Sequence, residues 1–431
     1  MRTEKAHFHR LIRYVFVVYV LISLYALVGR DFRTTLFQDA DSNLQGRDST
    51  AKNNAASNDK VISSTSWAQT DQRVAALWIN SQGESNHIPN TVLSSKVFSE
   101  SMGNPNILPY HYTARGTFQQ NDITICTMVT HDRFPVLARL VMNYKGPVSA
   151  AIHVNDDEHK DEVLADLQKI VDANPLIKQY LDVHLILDNY DRQFNMWRNV
   201  AKLYARTGYV MMLDVDFHVC TDFRASIHRN AKAMELLESG KAALVVPAFE
   251  FNSQADGEDF RTFPTTKKEL LDVVAKDKID VFHKFWANGH GATNYTKWYS
   301  ASRPYRVNTY QFSYEPYIIY KKEGSPWCDE RFIGYGSNKA ACLFEIYISG
   351  IDYWVLPQDF LIHQTHHYPE VTRTKERRYN RNVYEYFREE ACLRYMRMFK
   401  ANKQWGQPDS SNARKECAKI PGFKSTAAGL D

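Results

Sequence analysis

From residue 123 onward the apolar positions fall into two repeating patterns. Short, almost wholly apolar runs predict buried strands at Ile123–Val129, Val148–Val154, 183–187, 209–217, 242–249, 316–320, 353–356 and 360–363. Between them, apolar residues recur every three or four positions. Phe134, Leu137, Leu140, Val141 and Tyr144 trace one helix face, with Gly146 as its stop. The same spacing predicts helices over 158–173, 196–206, 267–275, 338–349 and 376–400. Strands alternating with helices imply right-handed crossovers and a mainly parallel sheet with helices on both faces, with ligands at the carboxyl ends of the strands.

The pattern is different toward the N-terminus. Residues 11–28 are apolar apart from Arg13 and Ser23, and Arg2, Lys5 and Arg10 precede them. That length suits a transmembrane signal anchor, with the basic flank (1–10) in the cytosol and the rest in a lumen. A cleaved signal peptide is the rival reading, disfavoured because no small-x-small site follows the run. Residues 29–120 are rich in Ser, Thr, Asn, Gln and Asp and weak in periodicity, as expected of a low-complexity stem. Within it, 67–80 and 92–98 are candidate short helices. Residues 121–425 make up the predicted catalytic domain.

Composition narrows the class only slightly. With 431 residues, 24% charged and a formal net charge of +4, the chain has no basic excess of the kind that nucleic acid demands. The Arg-rich stretch 373–381 reads as a solvated helix face. Six cysteines without zinc spacing fit a compartment where disulfides form, and Cys126 and Cys220, near strands, read as buried thiols. The sequon Asn294-Tyr295-Thr296 is a candidate glycan acceptor there.

Candidate chemistry gathers where one apolar run ends in Asp214-Val215-Asp216. In extended chain these carboxylates share a face. A hard divalent cation, Mg²⁺ or Mn²⁺, would relieve their repulsion and grip a diphosphate. The plain alternative is a strand end with solvated acids. His363 closes another apolar run and would complete the metal set, with His366 and His367 as alternatives. The aromatics of 282–314, among them Phe285, Trp286, Trp298, Tyr305 and Tyr310, suit either sugar stacking or a loop-rich core.

Three segments in succession resemble glycosyltransferase family 49, which includes a β-1,4-glucuronyltransferase and the second catalytic domain of LARGE. They are Asn195-Met196-Trp197-Arg198-Asn199 leading to Asp214-Val215-Asp216, then Asp329-Glu330-Arg331-Phe332-Ile333-Gly334-Tyr335-Gly336, then Val355 to His363. The resemblance implies a GT-A fold, a UDP-sugar donor, Mn²⁺, inversion at the anomeric carbon and type II Golgi topology. Carried over by position, Asp214, Asp216 and His363 would hold the metal. Thr127, Arg133, Arg198, Asn199 and Asp214 would bind the donor, and Lys339 would assist the diphosphate. Asp329 or Glu330 would serve as the base that takes the acceptor's proton, with pairing to Arg331 as their alternative role. The glycines after them would let substrate approach the backbone closely. Glucuronic acid as donor sugar, and a glycan or glycoprotein acceptor, follow by analogy alone. A retaining transferase, a lumenal lectin and a metal phosphohydrolase are the rival functions.

Overall fold

The computed structural model describes residues 76–79, 85–88, 106–366 and 370–427, all within one compact unit spanning residues 69–431. The predicted cytosolic tail, the anchor at 11–28, most of the stem, the candidate helix at 92–98 and His367 lie outside the described residues. Among the described residues no helix is long and apolar enough to cross a membrane. Instead of a helix near residue 78, Ala76–Ile79 pairs antiparallel with Ser85–Ile88. The hairpin pairs the backbone groups of these residues, and residues 67–75 and 80 of the expected helix lie outside the described residues.

The strands are β1 (Asn106–Tyr112), β2 (Ile123–Val129), β3 (Val148–Val154), β4 (Leu181–Leu187), β5 (Tyr209–Met212), β6 (Phe217–Val219), β7 (Ala242–Val246), β8 (Ala248–Phe251), β9 (Ile279–Val281), β10 (Tyr305–Arg306), β11 (Tyr317–Lys321), β12 (Asp352–Val355) and β13 (Leu361–His363). The main helices are α1 (Phe134–Tyr144), α2 (Lys160–Ala173), α3 (Phe194–Leu203), α4 (Asn338–Ile348) and α5 (Glu370–Ala401). Nine strands form one mixed sheet in the order β10-β12-β7-β11-β5-β2-β3-β4-β1. Its centre, β5-β2-β3-β4, is parallel, as the alternation of strands and helices predicts. A second sheet runs β9-β8-β13-β6.

Period-two burial along the central strands builds two cores. Ile123, Ile125 and Val129 face Leu137 and Val141 of α1, while Cys126 and Ala151 face Trp197 and Val200 of α3. Three boundaries differ from the sequence pattern. Ordered structure already begins inside the predicted stem, because β1 pairs antiparallel with β4 at the edge of the large sheet. The apolar run 242–249 is two strands in two sheets, broken at Pro247, which has no N–H for a ladder. The left-handed residue that ends α1 is Lys145, at φ 50°, one place before Gly146.

Two disulfides, Cys328–Cys342 and Cys392–Cys417, tie the C-terminal third together. Cys126 and Cys220 are buried free thiols. The aromatic segment is divided: Trp298, Tyr305 and Tyr310 are core, whereas Phe285 and Trp286 are exposed.

Candidate active site

β5 finds strand partners only as far as Met212. One further bond, from Leu213 N–H to the Cys126 carbonyl, carries the chain past the sheet end. The chain then turns, with Phe217 N–H donating to the Asp214 carbonyl at 3.2 Å, and enters the second sheet as β6. Asp214 and Asp216 therefore lie in a connecting turn, not on one face of an extended strand. The two carboxylates have different partners.

Asp216 immediately precedes β6, and β6 pairs antiparallel with β13 so that Phe217 stands opposite His363. The Gln364 N–H continues that ladder to the Asp216 carbonyl at 2.8 Å. Strand register thus delivers His363 to Asp216. One ligand atom each from Asp216, His363 and His366 lie within 4.8 Å of one another. Two donor atoms about 2.1 Å from one small divalent ion stand up to about 4.2 Å apart, so the spacing closes on such an ion with slight side-chain movement. One carboxylate oxygen and two imidazole nitrogens form a donor set for a first-row divalent ion, of which Mn²⁺ is the one the family resemblance implies. Burial pulls the His363 imidazole down to about 3, so the ring is neutral, the form in which an imidazole ligates a metal.

Arg133 reaches this cluster from the turn after β2. Its guanidinium donates to His366 Nδ1 at 2.8 Å and stands 3.4 Å from Asp216. His366 Nε2 stands 3.2 Å from the Asp216 carboxylate; a metal held by this nitrogen would need the ring proton on Nδ1 and the Arg133 contact released. The residue the family resemblance assigns to the donor therefore borders the metal-type cluster.

Asp214 lies outside that trio. Its Oδ2 accepts from Lys339 Nζ at 3.0 Å and from the Tyr317 hydroxyl at 2.9 Å, and Arg198 stands 3.6 Å from Oδ1. Burial opposes ionisation of Asp214, but the two cations outweigh it and hold the carboxyl well below its ordinary range. Lys339 also sits 3.5 Å above the Tyr317 ring. Burial pulls its ammonium down, and Asp214 counters the effect. Of the expected metal set, Asp216 and His363 stand together with His366, and Asp214 stands against Lys339, Tyr317 and Arg198.

Arg198 and Asn199, on α3, are buried. Arg198 donates to Asn195 and Asn338. Asn199 Nδ2 donates to the Cys328 carbonyl and to Glu330, and its Oδ1 accepts the Cys328 N–H. Its side-chain amide therefore holds the 328–330 loop. Thr127 is buried, and its Oγ1 has no hydrogen-bond partner among the described residues.

The two base candidates are also held. Asp329 is chelated by Arg331, at 2.6 Å and 3.0 Å, and Glu330 is buried against Asn199 at 3.0 Å. Gly334 and Gly336 do adopt positive φ, at 80° and 95°. The group crowding them is α5, however: a Cβ on Gly334 would meet the Glu376 carboxyl at 2.5 Å, and one on Gly336 the Arg377 Cα at 2.9 Å. These glycines admit a helix. The sequence pattern missed Glu315, just before β11. Burial raises its proton affinity, and the charge of Lys339 opposes the rise. Its isolation among aromatics gave it no motif.

This architecture is a mixed α/β sheet flanked by helices, with a carboxylate–imidazole cluster where a turn leaves the parallel strands. The profile of the family described as "Glycosyl-transferase for dystroglycan" matches residues 122–194 and 187–396, well over half of the chain. The chain belongs to that family. It is 34% identical to the rat xylosyl- and glucuronyltransferase LARGE2 over 254 residues, covering 57% of this chain and 35% of that protein. To human xylosyl- and glucuronyltransferase LARGE1 it is 28% identical over 260 residues, covering 59% and 33%. The chain spans about a third of the length of these curated relatives. A solved structure of GalNAc-T7 with UDP, GalNAc and Mn²⁺ overlays with a TM-score of 0.36 at 12% identity, covering 57% of this chain and 44% of that one.

Proposed function

We propose that this chain is a divalent-metal-dependent, inverting glycosyltransferase of GT-A type. It would move a sugar, glucuronic acid by analogy with the named relatives, from a UDP-sugar to a glycan or glycoprotein acceptor. The setting would be the Golgi lumen, with the predicted anchor at 11–28 holding a single-pass type II protein. The observation that carries the reading is the convergence of Asp216, His363 and His366 within 4.8 Å at the carboxyl end of the parallel strands.

In this reading Asp216, His363 and His366 hold Mn²⁺. Bound there, the ion would supply Lewis-acid neutralisation of the charge gathering on the leaving diphosphate. Lys339 and Arg198 keep Asp214 ionised beside it, and Arg133 stands at the edge of the cluster. Asp329 and Glu330 support the loop around Cys328. Glu315, a carboxyl of raised proton affinity beside the Lys339–Asp214 pair, takes the acceptor proton.

The direct test is a screen of UDP-sugars with Mn²⁺, read as UDP release with water replacing the acceptor. One UDP-sugar should be hydrolysed at a rate that falls at least a hundredfold on chelation. No metal-dependent release from any UDP-sugar would refute the proposal.

A further inference from the structure

One cavity adjoins this cluster, and a second shares a wall with it. The first, of about 610 Å³, is lined by His363 and His366 and so belongs to the metal side. The other, of about 470 Å³, lies between residues 280–297 and 305–311. Asp280, His283 and Lys284 line both. An acceptor hydroxyl has to reach the donor's anomeric carbon, so the acceptor needs a chamber bordering the donor's. The volume suits a small ligand.

The second chamber has the lining of a saccharide site. Trp286 borders it and is 44% exposed. The ring is seated on Gly289, where a Cβ would come within 2.8 Å of it, so only glycine lets the indole lie there. A fixed and exposed indole face is a platform for the C–H face of a pyranose. Asn294, Asn308 and Arg306 add hydrogen-bonding groups around it. Gln311 also lines the chamber, and its Oε1 is buried with no hydrogen-bond partner among the described residues. An unmet buried acceptor is costly, and rotation of the side chain would present it to a sugar hydroxyl in the chamber.

We infer that this chamber is the acceptor subsite, in which Trp286 stacks on a terminal pyranose and Gln311 accepts one of its hydroxyls. The inference rests on the transferase reading for the word acceptor, but the binding itself is independent of turnover.

The test uses the full chain with a panel of p-nitrophenyl pyranosides, by saturation-transfer NMR and by transfer kinetics with Mn²⁺ and the UDP-sugar found above. Trp286→Ala should raise the acceptor KM at least tenfold and Gln311→Ala about fivefold. Trp286→Phe should stay within threefold of the native value, and the donor KM should move less than twofold throughout. Loss of NMR binding in Trp286→Ala with retention in Trp286→Phe should accompany these shifts. Pyranoside binding unchanged in both alanine variants, or no pyranoside bound by the native chain, would overturn the inference. Binding that depends on Trp286 and Gln311, with no metal-dependent UDP release from any UDP-sugar, would keep it and refute the transferase proposal. Transfer with an acceptor KM indifferent to both residues would do the reverse.

Discussion

Asn199→Ala separates two roles for one residue, donor contact and loop support. The side chain makes three hydrogen bonds, to the Cys328 N–H and carbonyl and to Glu330, at 2.8–3.0 Å. Truncation leaves two buried backbone groups unmet at about 1–3 kcal/mol each. Glu330 keeps further interactions, and its share is left out. At about 1.5 kcal/mol for each, the sum is about 3 kcal/mol. For an ordered body of about 320 residues, an unfolding entropy of about 2.1 cal/mol/K per residue turns this into a Tm lower by about 4–5 °C. Scanning calorimetry and urea unfolding measure it. Loosening the 328–337 loop should also lower turnover through Lys339, with the donor KM within about twofold. A variant that melts like the native chain but binds donor tenfold more weakly would mean that Asn199 faces the donor, and the loop-support account would fall.

Removing the Cys328–Cys342 bridge by paired serine substitution opens a constraint of 14 residues. The expected loss is about 3 kcal/mol, read as a lower urea midpoint, and an unchanged midpoint would contradict it. His184, buried in the sheet, accepts the Tyr110 N–H on Nδ1, and Ser149 Oγ stands 3.0 Å from Nε2. Burial pulls its imidazole down to about 3. The unfolded chain therefore takes up a proton below about pH 6.5 that the folded chain refuses until about pH 3, so stability falls as pH drops through that window. At about 1.4 kcal/mol per pH unit, the native chain should lose about 2 kcal/mol more than His184→Gln between pH 6.5 and 5. Parallel pH curves would refute this. Glu315→Gln should cut kcat at least a hundredfold with the donor KM within twofold, while Asp329→Asn costs less than tenfold. The opposite ranking would return the base to Asp329.

Most of the architecture was legible because burial on both faces leaves a plain signature. The runs at 123–129 and 148–154 are apolar throughout, and each strand lies where its run does. The site was legible in part. Asp216 and His363 end apolar runs, and the pairing of β6 with β13 brings them together. The periodicity of 209–217 concealed the turn at Asp214, because strand length is set by partners that period-two patterning does not reveal. The donor role of Arg198 and Asn199 comes from the family resemblance, and local sequence does not show whether their helix is covered. Here α3 is buried between the sheet and α4, and both side chains serve the interior. Glu315 carried no local signal at all, since its setting is made by Lys339 and Ala340 from a distant helix.

The most direct measurement is a Mn²⁺ titration of the full chain in the presence of UDP, followed by electron paramagnetic resonance, on the native protein and on His363→Ala, His366→Ala and Asp216→Asn. One stoichiometric site in the native chain, weakened at least tenfold by each substitution while the melting temperature stays within a few degrees, is the predicted result. Mn²⁺ bound equally tightly by all four proteins would contradict the account.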